Sequence, residues 1–223
     1  MLKVKLTWEK VIKAVDFDAN IDFLMNNRGL YLWIWPGKNP RVGYVGETMN
    51  FYHRMLEHFY NIIGGKYLLF NPSPELDFLD YLKEHYIGKT IEELNENNTI
   101  FSPIKNAKRD LSFKRVFLDE SELKLRLENL RKREFAFATM EFSIKTDNEA
   151  LLRKQIEGAL INELFNKYKA LTRSSLKLKG AGKFSQCVIG DISKWPETDI
   201  EIVHEGLTNR IPQEVIEIKG FNV

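Results

Sequence analysis

Gly29-Leu30-Tyr31-Leu32-Trp33-Ile34-Trp35, then Pro36-Gly37-Lys38-Asn39-Pro40, then Arg41-Val42-Gly43-Tyr44-Val45-Gly46, is the stretch from which the fold is read. The first seven residues are apolar throughout and predict a strand, and the Pro, Gly and Asn residues after them predict a turn. Arg41 to Gly46 reads as a second strand. It runs antiparallel to the first, because the connection suits a hairpin and is too short for a crossover. From Asn50 to about Ile63 the apolar residues Phe51, Met55, Leu56, Phe59, Ile62 and Ile63 recur at helical spacing, and Gly64-Gly65 ends the pattern. The opening unit is strand, strand, helix.

Upstream, Thr7 is placed to cap a short helix through Val15. Downstream, Pro72 and Pro74 precede an expected helix around Leu76 to His85 and another near Thr90 to Asn95. Glu120 to Arg133 suggests a charged amphipathic helix with Leu123, Leu127 and Leu130 on one side. Phe135 to Ile144 alternates as a half-buried third strand does, and Asp147 or Asn148 can cap a long helix reaching Tyr168. Gln186 to Ile192, Ile200 to His204 and Val215 to Ile218 read as short strands, separated by Trp195-Pro196 and Ile211-Pro212.

The chain has 223 residues, 43% of them hydrophobic. That is enough for a substantial core and favours a single domain over residues 1–223. Cys187 is the only cysteine, so there is no intramolecular disulfide and no thiol cluster for zinc. No stretch approaches the roughly 18 apolar residues of a membrane span, and a cytoplasmic protein is expected. The net charge of +2 is unevenly spread. Ser102 to Lys183 holds 19 Lys and Arg against 11 Asp and Glu, and the remainder holds 14 against 20. Phe165 to Lys183 has no acidic residue and carries Lys167, Lys169, Arg173, Lys177, Lys179 and Lys183. Such a run suits a phosphate backbone, and equally a solvated face.

Hydrolysis of a phosphodiester needs a positioned water, a group to take its proton, and positive charge where negative charge accumulates. Asn50, Arg54 and His58, spaced by four, line one stripe of a helix from which Arg54 can reach a phosphate. The ordinary alternative is an exposed arginine and a satisfied histidine. Tyr31 and Tyr44 sit on paired strands, where tyrosines usually pack; a phenol is a poor base at neutral pH unless cations favour the phenolate. Glu157 lies on a largely apolar flank of the long helix, with Ala150, Leu164, Ile161 and Arg153 as neighbours. A glutamate there either reaches solvent or serves a cleft, and a lone carboxylate completed by water suits Mg²⁺.

In this order the residues resemble the GIY-YIG nuclease family. Its first element is matched by Gly29-Leu30-Tyr31 and its second by Tyr44-Val45-Gly46, followed by Thr48, Asn50, Arg54 and His58. Its metal-binding helix motif is matched by Glu157-Gly158-Ala159-Leu160-Ile161. The resemblance covers roughly Gly29 to Asn61 and Phe135 to Tyr168. Leu30 and Val45 replace isoleucine without changing strand character. Where related nucleases often carry a proline and an asparagine late in the helix, this chain has Asn166 and Lys169, so Asn162, Asn166 or Lys169 fills that corner, or the corner is altered.

The resemblance implies an α+β fold, a small three-stranded antiparallel sheet flanked by helices. Its core would be residues 29–63 and 135–169, with a large partly helical insertion over about 64–134 and a C-terminal extension with short strands over about 170–223. It implies a metal-dependent DNA endonuclease, first of all a type II restriction enzyme. Glu157 would hold one divalent ion, Mg²⁺ or Mn²⁺. Arg54 would stabilise transition-state charge, and Tyr31, Tyr44 and His58 would orient or deprotonate the attacking water, the base among them being open. Thr48, Asn50, Asn166, Lys167, Lys169, Arg173, Lys177 and Lys179 are the candidate contacts to double-stranded DNA, and a homodimer is one way to cut both strands. The alternatives are an inactive or weakly active nucleic-acid-binding module of the same fold, or a DNA repair or mobile-element nuclease.

Overall fold

The structure is a computed structural model that describes residues 1–35, 40–64, 119–145, 148–172 and 198–222. The helices expected around Leu76 to His85 and Thr90 to Asn95, and the strand expected over Gln186 to Ile192, lie outside the described residues.

A small three-stranded antiparallel sheet is not what forms. Among the described residues the sheet has six strands of mixed direction and curls into a half-barrel. Its strands are β1 (Leu2–Lys13), β2 (Gly29–Trp35), β3 (Arg41–Thr48), β4 (Glu134–Phe142), β5 (Ile200–Gly206) and β6 (Gly220–Phe221), in the order β3-β2-β4-β1-β5-β6. β2 pairs antiparallel with both β3 and β4, β1 pairs antiparallel with β4, and β1 and β5 run parallel, Leu2 beside Ile200 through Trp8 beside Gly206.

The helix expected from Thr7 to Val15 is therefore a correction too, because that segment is most of β1. Leu2, Val4, Leu6 and Trp8 alternate with Lys3, Lys5 and Thr7, and the first set is buried. This is the period of a strand with one face inward. The register with β4 slips between Trp8 and Lys10, leaving Glu9 as a bulge. The slip breaks the alternation and gives Thr7 to Ile12 a misleading helical spacing.

Helix α1 (Ile21–Asn26) leads into β2, and α2 (Phe51–Ile63) follows the hairpin. α2 buries Phe51, Met55, His58 and Ile62, a face of period 3.6. Phe51 packs against Phe137 with ring centroids 4.9 Å apart, and Phe59 against Phe17 at the same separation. Each fully buried side chain of this size contributes roughly 1.5–3 kcal/mol. α3 (Glu120–Arg131) packs on α2, where Arg126 donates to the Ile62 carbonyl of the last α2 turn at 2.8 Å. α4 (Glu149–Thr172) is the long helix; it lies against β3 and buries Ile156, Leu160, Ile161 and Leu164.

Past β5 the expected strand Val215–Ile218 is instead the end of a short helix, α5 (Gln213–Ile216), with β6 beginning only at Gly220. Val215 and Ile218 are both buried, and a period of three in so short a run fits a helical turn. Among the described residues, no helix is long and apolar enough to cross a membrane.

Candidate active site

Two glycines shape the hairpin. Gly29 opens β2 at φ 145°, where a Cβ would lie 2.1 Å from the Ala138 carbonyl oxygen of the neighbouring strand. Gly46 sits directly across from Tyr31, and a Cβ there would lie 2.2 Å from the phenol carbon and oxygen. Removal of that one carbon lets the Tyr31 ring lie flat across β3. Gly46→Ala is therefore expected to displace Tyr31 and to cost about 1–3 kcal/mol of unfolding free energy through overpacking, read by urea denaturation.

The Tyr31 side chain is fully buried, and three groups converge on its oxygen or ring. Arg54 Nε of α2 donates to the hydroxyl at 3.0 Å, and His58 Nε2, one turn further along, lies 2.7 Å from it. The Tyr44 ring lies 6.0 Å from that of Tyr31 and 5.8 Å from that of His58, centroid to centroid. Trp33 closes the floor, its ring 4.8 Å from His58 and 5.3 Å from Tyr44, with the Arg133 guanidinium 4.9 Å from its centroid. Hairpin pairing and the i, i+4 spacing on α2 thus bring Tyr31, Tyr44, Arg54 and His58 into one cluster. His58 is wholly buried.

Glu157 reaches this cluster from α4. Its Oε1 accepts the Glu47 N–H at 3.1 Å, and its charge is felt by both Tyr31 and Tyr44. Among the described residues β3 is an edge strand, and this amide, turned away from β2, takes its acceptor from α4. Glu47 and Arg153 are site residues that sequence reasoning did not assign. The Glu47 carboxylate meets Arg153 Nε at 3.4 Å, and the Arg153 side chain is only 3% exposed. The position of Glu47, immediately after Gly46 on the strand that carries Tyr44, was the available signal. Glu57, one turn beyond Arg54, takes a guanidinium N–H of Arg54.

Burial decides the protonation of the site. It is the first cause, and Tyr44 the second, of a Tyr31 pKa well above the ordinary 10.0, against the pull of Arg54. Tyr44 is pushed up to about 12, by burial and then by Glu157. Cations do not therefore make either phenol a phenolate at neutral pH. Burial opposes the Arg54 charge, but Tyr31, Tyr44 and Glu57 outweigh it, and its pKa rises. His58 is held well below 6.5 by burial, then by Arg54 and Arg133. Glu157 is pushed up to about 8 by burial and by the charge of Glu47, with the Glu47 amide bond working the other way.

The His58 shift has a consequence for stability. The unfolded chain binds a proton at His58 below about 6.5 and the folded chain does not, so acid favours unfolding in that window. Unfolding free energy is expected to decline as pH falls from 6.5 toward the depressed folded value, and His58→Gln is expected to flatten that decline in urea titrations at successive pH.

The remaining candidates are placed differently. Thr48 and Asn50 cap α2: the Asn50 amide donates to Thr48 Oγ1 at 3.1 Å, Asn50 Oδ1 accepts the His53 N–H at 3.0 Å, and Asn50 Nδ2 donates to the Met25 carbonyl at 2.7 Å. Their polar atoms hold the helix that carries Arg54. Asn166 is exposed on α4, and Lys167 is engaged with Glu217 and the Glu214 carbonyl. Lys169 falls in α4, but its side chain is outside the description, as are Arg173, Lys177 and Lys179 entirely.

A hard divalent ion fits the donor set in one respect. Glu157 is a largely buried carboxylate with a second carboxylate beside it, an arrangement that gains from a positive charge. Among the described residues there is no group of three or more ligating side chains, so such an ion would take its other oxygens from water and substrate. Compared with models of known families, with curated proteins and with solved structures, the chain matches none.

Proposed function

We propose that this protein is a metal-dependent endonuclease of the GIY-YIG type acting on double-stranded DNA, with a type II restriction enzyme as the first reading and the cytoplasm as its place of action. The observation that supports it best is the convergence of Tyr31, Tyr44, Arg54 and His58 from a hairpin and its following helix with Glu157 from a third element. Packing alone does not require a half-buried arginine and a buried histidine on one phenol.

Glu157 would hold the divalent ion, Mg²⁺ or Mn²⁺, which supplies Lewis-acid stabilisation of charge on phosphate and leaving oxygen when bound. Arg54 neutralises charge gathering on the non-bridging oxygens, exchanging its exposed partner Glu57 for phosphate. Tyr31 and His58 move the proton. With His58 protonated on Nδ1, its Nε2 accepts the Tyr31 hydroxyl proton as Tyr31 takes one from the attacking water. Burial first, and then Arg54 and Arg133, keep His58 neutral, and phosphate charge on Arg54 offsets the Arg54 part of that. Tyr44 orients the same water from the neighbouring strand.

The competing reading is a binding module without catalysis, favoured by the altered end of α4. A gel-shift and cleavage assay on the same duplex, with Mg²⁺ and with chelator, separates them. Metal-dependent nicking supports the enzyme. Equal binding under both conditions with no strand cut supports the module. A parallel RNA duplex tests the sugar.

A further inference from the structure

The segment Leu207–Lys219, between β5 and β6, has no part in the chemistry above, yet it carries a buried carboxylate. Glu214 is 6% exposed, an uncommon place for a glutamate, and its partners lie on other elements. Oε1 accepts the Val42 N–H at 3.2 Å, and Oε2 meets the Arg41 guanidinium at 3.3 Å. The Glu214 carbonyl accepts Lys167 Nζ of α4 at 3.1 Å, and the same Lys167 pairs with Glu217 at 3.0 Å. Upstream, Arg210 pairs with Glu134 at the start of β4 at 3.3 Å. Downstream, His204 Nε2 lies 2.8 Å from the Ile218 carbonyl, and Ile202 donates to Lys219 at 2.7 Å. Ile211, Val215 and Ile218 of the segment are themselves buried.

The segment thus leaves β5 at one side of the sheet, passes the start of β4, grips β3 and α4 at the other side, and returns to pair as β6. A cleft of about 530 Å³ opens along this path, lined by the Arg41–Glu214 and Arg210–Glu134 ion pairs, and its balanced charge selects no ligand.

We propose that this segment is a strap, and that Glu214 is a positioning residue that holds β3 in register against α4. Among the described residues β3 is an edge strand, and Gly43 has no partner on β2 between those of Trp33 and Ile34. At such a bulge the ladder is locally disrupted and the extra residue is left without a cross-strand partner. Its outward amides are held by one carboxylate on each side of that weak point, Val42 by Glu214 and Glu47 by Glu157. Tyr44 lies between the two anchors. Loss of the Glu214 anchor removes one of these two outer holds and leaves the β2 ladder and Glu157, so the approach of β3 to Glu157 loosens. The effect on catalysis rests on the nuclease reading; the effect on β3 does not.

The test is hydrogen exchange on the full chain, with nicking kinetics on the same samples. Glu214→Ala is expected to speed exchange across Val42–Glu47 by about tenfold or more. It is expected to lower kcat by about tenfold with KM for DNA within about twofold, because ground-state DNA binding is not its task. Glu214→Gln, which keeps an oxygen for the Val42 amide, is expected to stay near wild type in both. If Glu214→Ala does not fold, Lys167→Ala unhooks the strap from α4 and is read by the same exchange. Unchanged exchange across Val42–Glu47 in the folded variant overturns the strap, even if wild type cuts DNA. Faster exchange supports it, and if wild type then cuts no DNA it is the nuclease reading that falls.

Discussion

Replacement of Glu157 with glutamine is expected to raise the unfolding temperature of the metal-free protein while abolishing cleavage. The carboxylate sits in a largely buried place beside Glu47, and its folded pKa of about 8 lies above the ordinary 4.5. A raised carboxylate pKa means stability that is fully present below 4.5 and is lost as pH rises through about 8. At pH 7 the loss has an upper limit of about 3 kcal/mol. Glutamine keeps the oxygen that accepts the Glu47 amide and carries no charge. The gain over wild type is therefore expected to be small near pH 4.5, to grow with pH and to level off above about 8. Calorimetry of both proteins in chelator, at several pH values, measures it. Added Mg²⁺ or Mn²⁺ is expected to stabilise wild type and to leave the variant unmoved. Equal unfolding temperatures at every pH would mean that the Glu157 charge is relieved by solvent and that the site is not primed for a cation.

Arg54→Ala is expected to lower kcat by about 10²–10³-fold, the effect of removing one preorganised donor from a charge-stabilising site. Arg54→Lys is not expected to restore it. The guanidinium holds the Tyr31 hydroxyl through Nε and has further N–H groups for phosphate, whereas an ammonium on a flexible stem cannot keep both in that geometry. Steady-state nicking of plasmid DNA separates the roles: a loss confined to KM would make Arg54 a DNA-binding residue, and the proposed loss is in kcat.

The parts legible in the sequence are those set by neighbours along the chain. The hairpin follows from an apolar run, a turn cluster and a second run; α2 follows from the spacing of Phe51, Met55 and Ile62 and ends at Gly64. Cross-strand pairing places Tyr31 opposite Gly46, and helical spacing places His58 one turn past Arg54, which is why most of the cluster was open to sequence reading. The full sheet was not. β1 is a strand whose alternation is broken at Glu9, and its parallel partner β5 lies almost the whole chain away, so nothing local announces that pairing. A strand carboxylate such as Glu47 is ordinarily solvated, and its role appears only when Arg153 and Glu157 of α4 are brought against it. Lys167 belongs to a basic run that suits phosphate, but its ammonium has two acceptors on the strap.

The most direct measurement is nicking of supercoiled plasmid by wild type and Glu157→Gln over a titration of Mg²⁺ or Mn²⁺, with chelator as the zero point. The expected result is cleavage by wild type that rises with metal and vanishes in chelator, and none by the folded variant at any concentration. Cleavage that survives chelator or the loss of the Glu157 carboxylate, or no cleavage of any DNA by folded wild type, would contradict the assignment of this cluster as a metal-dependent nuclease centre.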